Sequence, residues 1–233
     1  MKVIFFTGAG ISEEAGIPTF QNQDGIRAKL RRSYARKNPG SYRDTIRMMM
    51  DACEAAAPTP AHQVIAAAQY PVITMNVDQL HRIAGTKNLV EVHGILPTRA
   101  ELMASDFPTT YKGIVLYDDE APLYATAYKM VGELTSDDFF IIVGTSFYTE
   151  VSIELLRIAQ SHHVRGVVIN DNASKKVPKV CELLTRMREA TEAGATKDEI
   201  NEIYQEILTL GQTLTEARKA NDPYYLGGIY YLG

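Results

Sequence analysis

Six short apolar runs recur along the chain, spaced widely enough for helices to fit between most of them. They fall at residues 3–6, 71–74, 89–92, 114–117, 139–143 and 167–169. Short apolar runs bounded by polar and turn residues suit strands buried on both faces. Between them the apolar positions change to helical spacing. Residues 42–57 place Ile46, Met49 and Met50 on one side, residues 61–69 are alanine-rich, and 123–134 and 151–160 read as further helices. Strands alternating with helices predict an α/β fold built on a doubly wound parallel sheet. Past Asn170 the pattern differs. Leu183, Leu184 and Met187 suit one amphipathic helix, Gly194 breaks it, and Thr196 with Glu199 forms a capping-box signature. Ile200, Ile203, Tyr204, Ile207, Leu208 and Leu214 then recur at helical spacing. This predicts a C-terminal helical hairpin that covers the chain's own sheet edge or small domain, or else a second copy in a homo-oligomer. The tail YYLGGIYYLG is apolar enough to be expected against protein, its own or a partner's.

The first apolar run leads into Gly8, Gly10 and Gly16, with Ser12 among them. The spacing is not the strict dinucleotide fingerprint. Gly8 permits a tight turn, Gly10 lets backbone N–H groups approach a phosphate, and a helix starting near Ser12 would aim its positive end at the same anion. A plain strand–turn–helix join would use the same small residues. The other strand ends add weight. Ser12, Asn76, Asp78, His93, Thr145, Ser146 and Asn170 all fall where such a sheet binds ligands, beyond the carboxyl ends of its strands.

Composition narrows the class. A chain of 233 residues, 45% apolar, is long enough for one large domain, or one domain with an insert, around a sizeable core. A net charge of -4 argues against a general nucleic-acid binder. Arg27, Lys29, Arg31, Arg32, Arg36 and Lys37 form a basic stretch, either a solvated helix face or a cover over an anionic cofactor. Cys53 and Cys181 stand far apart with no C-x-x-C, which excludes a four-cysteine zinc site and suggests buried free thiols in a reducing compartment. The apolar run in MKVIFFTGAG is too short for a signal peptide, and no membrane-length segment follows. The expectation is a cytoplasmic protein with no membrane or nucleic-acid partner.

Taken together, GAGIS-x-x-x-GIP, PAHQVI, VITMNVDQLHRIAG, EVHG, VGTS and VVIN, in that order, resemble the sirtuins over residues 2–180. Sirtuins are NAD-dependent protein deacylases of the silent information regulator family. The resemblance implies a Rossmann-like NAD-binding catalytic domain over 1–180, with a cofactor loop and helical part over 20–60 and a shortened insert over 95–112. Residues 181–233 would be a C-terminal helical extension. It implies NAD as cofactor, an acylated-lysine protein or peptide as substrate, and nicotinamide and O-acyl-ADP-ribose as products. Gly8, Ala9, Gly10, Ile11 and Ser12 would line the phosphate and ribose site, and Phe20 would shield the nicotinamide side. Asn76 would orient the ribose, while Val77 through its backbone and Asp78 through its side chain would hold the carboxamide. His93 would be the general base, and Gly144, Thr145, Ser146 and Asn170 would contact the adenosine half.

Four departures from the family pattern stand out. Residues 95–112 lack the two cysteine pairs, so the small domain is expected to be reduced and metal-free. Thr-Gln-Asn reads Thr74-Met75-Asn76, and Phe-Arg reads Phe20-Gln21, changing two cofactor-site positions. Phe-Gly-Glu reads Tyr117, Asp118, Asp119, Glu120. Ile46 and Met49 stand where succinyl-preferring sirtuins carry Tyr and Arg, which implies neutral acyl groups. The same nicotinamide pocket also suits an ADP-ribosyltransferase, an NAD glycohydrolase, or a non-catalytic module that binds NAD or ADP-ribose.

Overall fold

The computed structural model describes residues 1–19 and 25–221. The first half contains β1 (Val3–Thr7), α1 (Ile26–Lys29), α2 (Arg32–Lys37), α3 (Pro39–Glu54), α4 (Pro60–Ala67), β2 (Val72–Thr74), α5 (Leu80–Ile83), β3 (Leu89–Glu91) and α6 (Arg99–Met103). The second half adds α7 (Tyr124–Gly132), β4 (Phe139–Val143), α8 (Glu150–Ser161), β5 (Arg165–Ile169), α9 (Ala173–Glu192), α10 (Lys197–Leu208), β6 (Gln212–Thr213) and α11 (Leu214–Asn221). The strands form one sheet in the order β3-β2-β1-β4-β5-β6, parallel except for β6. β1 lies at the centre, with Phe5 opposite Val72 on one side and Ile141 on the other.

The period-2 alternation of strands sorts the core into two layers. Val3, Phe5, Ile141, Val143 and Val167 face one layer, packed with residues of α4, α9 and α10. Ile4, Phe6, Phe140, Ile142 and Val168 face the other, packed with residues of α7, α8 and α11. A third cluster stands apart from the sheet. It joins Ile26, Leu30, Tyr42 and Ile46 from α1 to α3 with Leu96, Leu102, Ile114 and Leu116. Arg32 links its two halves, pairing with Asp119 and donating from Nη1 to the Tyr111 carbonyl at 2.9 Å.

Three expectations need correction. Residues 114–117 are not a sheet strand. Ile114 makes only an isolated antiparallel bridge to Gly94, and Ile114 and Leu116 are drawn into the third cluster instead. No α-helix begins near Ser12. Two single 3-10 turns, Ala9–Ile11 and Glu13–Ala15, end at Gly16, which takes a left-handed φ of 85°. The C-terminal part is more than a hairpin. α9 and α10 are followed by β6, which pairs antiparallel with β5, and by α11. The capping box at Thr196 and Glu199 is present. Ile203, Ile207 and Leu214 are buried in the chain's own core, and α9 runs unbroken through position 180. The tail from 222 onward lies outside the described residues.

Below the strand ends, the His62 and His81 rings pack 4.6 Å apart. Thr7 Oγ1 donates to Thr74 Oγ1 at 2.8 Å, so its lone pair faces His81 Nε2 at 3.0 Å as an acceptor. The Thr59 N–H donates to His62 Nδ1 at 3.3 Å. Each ring therefore sits in one neutral tautomer. Burial pushes His62 down to about 4. Burial first, and the neighbouring His62 second, pushes His81 well below the ordinary range. The unfolded chain binds more protons than the folded one from pH 6.5 down to about 4, so stability falls as pH drops through that window. Urea unfolding should show that His62 accounts for about 2 kcal/mol of the stability lost between pH 7 and pH 5. His62→Gln, which keeps a side-chain acceptor in the capping position, should lose that much less over the same interval. Equal losses in both proteins would refute this assignment.

Candidate functional site

The strand order reverses between β1 and β4, and there the loops following these two strands meet. Gly8 N donates to the Val143 carbonyl and Gly10 N to the Gly144 carbonyl, both at 2.9 Å. No side chain fits between them. A Cβ on Gly8 would lie 2.6 Å from the Gly144 oxygen, and one on Gly144 would lie 2.3 Å from Ile11 N. Gly144 also holds a φ of 65°. The first two glycines are thus explained by backbone meeting backbone, and their N–H groups are engaged within the protein rather than held out for a phosphate.

This clasp forms the floor of a cleft of about 740 Å³. Gly8, Ala9, Gly10, Met75, Asn76, Val77, His93, Gly144, Thr145, Ser146 and Asn170 all line it. Ile11 does not, being fully buried in the core below. Ser12 and Asp78 lie behind, around a smaller recess of about 70 Å³ that also touches Asn76, Val77, Met49 and Cys53. Phe20 and Gln21 lie outside the described residues.

Between cleft and recess, Ser12 acts as a hub. Its hydroxyl donates to Asp78 Oδ2 at 2.7 Å and accepts from Asn76 Nδ2 at 3.1 Å. The second Asp78 oxygen accepts from Leu80 N at 2.9 Å, and Asn76 N donates to Thr74 Oγ1 at 3.1 Å. Burial raises the Asp78 carboxyl, while bonds from Ser12, Leu80 N and Asn76 oppose the rise. Burial, with the Asp78 charge second, pushes the Cys53 thiol up to about 12, so it is not a nucleophile at neutral pH. At the other end of the sheet opening, Thr145 N donates to Asn170 Oδ1 at 3.0 Å.

His93 closes the far wall. Its Nδ1 lies 3.1 Å from the Met75 carbonyl, which can only accept, so the neutral ring carries its proton there. Nε2 is then the basic nitrogen, and the Tyr124 hydroxyl lies 2.9 Å from it. Burial lowers the imidazole below the ordinary histidine range, leaving it unprotonated at neutral pH. Met75, which departs from the family pattern at a cofactor-site position, orients His93 through its carbonyl while its sulfur accepts from Thr149 Oγ1 at 3.1 Å.

Nothing along the chain marks Tyr124 as a cleft residue, because the residues it meets there lie far away in sequence, whereas Tyr148 and Thr149 follow closely on Thr145 and Ser146. Of the basic stretch, Arg27 lines the cleft with its guanidinium 3.7 Å above the Tyr148 ring, while Arg32 is committed to Asp119.

Fold and cleft define a doubly wound α/β protein with its ligand site at the point where strand order reverses. Residues 8–111 match the Sir2 family model, and the chain carries a Sir2 family domain. It is 28% identical to NAD-dependent protein deacylase 2 of Archaeoglobus fulgidus, over 79% of this chain and 92% of that one. To the NAD-dependent protein deacylase of Pyrococcus abyssi it is 42% identical, over 40% of this chain and 42% of the relative. A solved Sir2 enzyme, described in work on the mechanism and regulation of that class, superposes with a TM-score of 0.65 at 25% identity, covering 80% of this chain and 93% of the other. A Sir2 homologue solved with NAD shares the fold with a TM-score of 0.69 at 22% identity, over 79% and 90% of the two chains.

The clasp is tested by Gly144→Ala. A left-handed alanine against Ile11 N should cost about 2 kcal/mol or more and lower the melting temperature. Gly40→Ala, within α3 and with open space around it, should be neutral or slightly stabilising. Similar melting temperatures for the two variants would show that the loops can part without cost.

Proposed function

We propose that the protein is an NAD-dependent protein lysine deacylase. The observation that carries this proposal is a neutral, oriented imidazole, His93, sharing one cleft with an Asn76–Ser12–Asp78 cluster already fixed by hydrogen bonds. The deacylase relatives and the Sir2 domain support it. The glycine clasp leaves a side-chain-free floor for a dinucleotide, and the cleft volume suits such a ligand.

Bound NAD would supply an activated ribosyl carbon, which the acyl oxygen attacks as nicotinamide leaves. The chain's own groups then have distinct tasks. Asp78 and the Val77 backbone hold the leaving carboxamide in the recess. Asn76, held at its amide by Ser12, orients the ribose, so little ordering is needed when substrate arrives. His93 Nε2 takes the proton from a ribose hydroxyl, while its Nδ1–H stays on the Met75 carbonyl and steadies the cation that forms. Gly144, Thr145, Ser146 and Asn170 hold the adenosine half.

Nicotinamide release is the direct test. Release should require an acetyl-lysine peptide, yield deacetylated product, and fall by about 100-fold or more in His93→Ala. Release that ignores the peptide would replace this reading with a glycohydrolase or ADP-ribosyltransferase. No release, with NAD still bound, would leave a binding module. Because burial lowers His93, the base form persists below the ordinary histidine range, and kcat/KM should fall only at more acid pH.

Acyl choice is a separate prediction. Ile46 is fully buried and Met49 presents an apolar wall to the cleft, so neither pairs with a carboxylate. Acetyl-lysine should be turned over faster than succinyl-lysine. The reverse order would overturn this and point to Arg27 as the partner of the acid.

A further inference from the structure

The contact between Tyr124 and His93 has no counterpart among the tasks above. Tyr124 is the first residue of α7, 31 positions beyond His93, and its hydroxyl reaches Nε2 at 2.9 Å. The Met75 carbonyl fixes the imidazole proton on Nδ1, so the phenol donates and Nε2 accepts. A neutral imidazole nitrogen has a single in-plane lone pair. It accepts one good hydrogen bond, and in this structure Tyr124 takes it.

The phenol also stays a phenol. Burial, and behind it Tyr128, Glu150 and Tyr117, pushes Tyr124 up to about 12. It keeps its proton at neutral pH and is not a base. Its neighbours explain its aim. The Tyr128 ring packs 6.1 Å away, and Tyr117 and Glu150 line the same region of the cleft. Tyr124 is only half-buried and borders the open cleft, so the side chain has room to turn aside.

We infer that Tyr124 caps His93, occupying Nε2 until a substrate hydroxyl displaces it. The two donors are mutually exclusive, because both need the same lone pair. Binding of any ligand whose hydroxyl engages Nε2 is therefore weakened by the hydrogen bond it must break. A neutral hydrogen bond of about 1 kcal/mol corresponds to roughly fivefold in affinity.

The inference rests on the deacylase reading only where a ribose ligand is used, and the experiment separates the two. In the free protein, the nitrogen-15 resonance of His93 Nε2 should shift in Tyr124→Phe and stay in place in Tyr128→Phe. An unmoved resonance in a folded Tyr124→Phe protein overturns the inference, whatever the protein turns over. With ADP-ribose as probe, Tyr124→Phe should tighten binding roughly fivefold, and in the enzyme assay lower KM for NAD with little change in kcat. In a His93→Ala background the same substitution should change ADP-ribose binding little, since nothing remains to be released. An equal gain in both backgrounds, or weaker binding in the first, overturns the inference. Failure of ADP-ribose to bind the unmodified protein would count against the NAD reading and leave the resonance to decide the role of Tyr124.

Discussion

The close approach of two loop backbones at the centre of the sheet governs the geometry of the site. Gly8 and Gly10 donate to the carbonyls of Val143 and Gly144, and a side chain at any of the three glycines would push the loops apart. Because β1 and β4 are neighbours in register from Val3–Phe139 to Thr7–Val143, the clasp extends a rigid pairing by one more step. The residues just beyond β1 are thereby placed closely. The turn over Ala9–Ile11 anchors Ile11 in the core and sets Ser12 against Asn76 and Asp78. The glycines thus serve the ligand indirectly. They bring the strand ends near enough for one side chain to reach groups just past β2, and they leave the floor of the cleft bare.

Around that floor the protein buries polar groups in hydrogen-bonded chains, with His81 Nδ1 and the neighbouring His62 Nε2 left unpartnered among the described residues. Thr7, Thr74 and His81 form one chain, which Thr74 continues to Asn76 N. Ser12, Asn76, Asp78 and Leu80 N form another. A buried hydrogen bond adds little stability, but a missing partner costs much more, so each chain tolerates few arrangements. The protein therefore gains specificity of geometry from these groups more than it gains stability. The tightly packed His62 and His81 show the cost of the arrangement. Both must remain neutral, which ties the fold to pH above the range where they charge.

Much of this was legible in the chain. Runs such as 3–6 and 139–143 became the two central strands because both their faces are covered, and a strand of that kind has no polar side to blur the signal. The polar residues at the strand ends were legible too, since Asn76, His93 and Thr145 interrupt apolar runs where no core needs them. Residues 114–117 misled for a physical reason. They form a strand-like apolar run, yet the apolar partners of Ile114 and Leu116 come from α1, α3 and α6 rather than from the sheet. The two-residue β6 was too short to carry a period at all. Tyr124 left no trace, because its role depends on a helix start placed 31 residues away from the histidine it meets.

The cleft has two walls of different construction, and this bears on how it works. One wall is the sheet itself, fixed by strand pairing and two packed layers. The other belongs to the third cluster, which contributes no strand to the sheet and, among the described residues, is tied to the segments beyond β2 and β3 by the bridge between Gly94 and Ile114 and by Leu96 N donating to the Val77 carbonyl. Its cohesion relies on Arg32, which draws Asp119, Tyr111 and Ile114 toward the start of α2. An arginine held by a carboxylate and two carbonyls makes a directional tie that a lysine does not reproduce. Groups needing fixed geometry, Asn76 and His93, are tied to strand ends of the sheet. Met49, Tyr117 and Leu116 stand on the other wall. The division places the hydrogen-bonded polar groups on the sheet side of the cleft and mainly apolar side chains on the other.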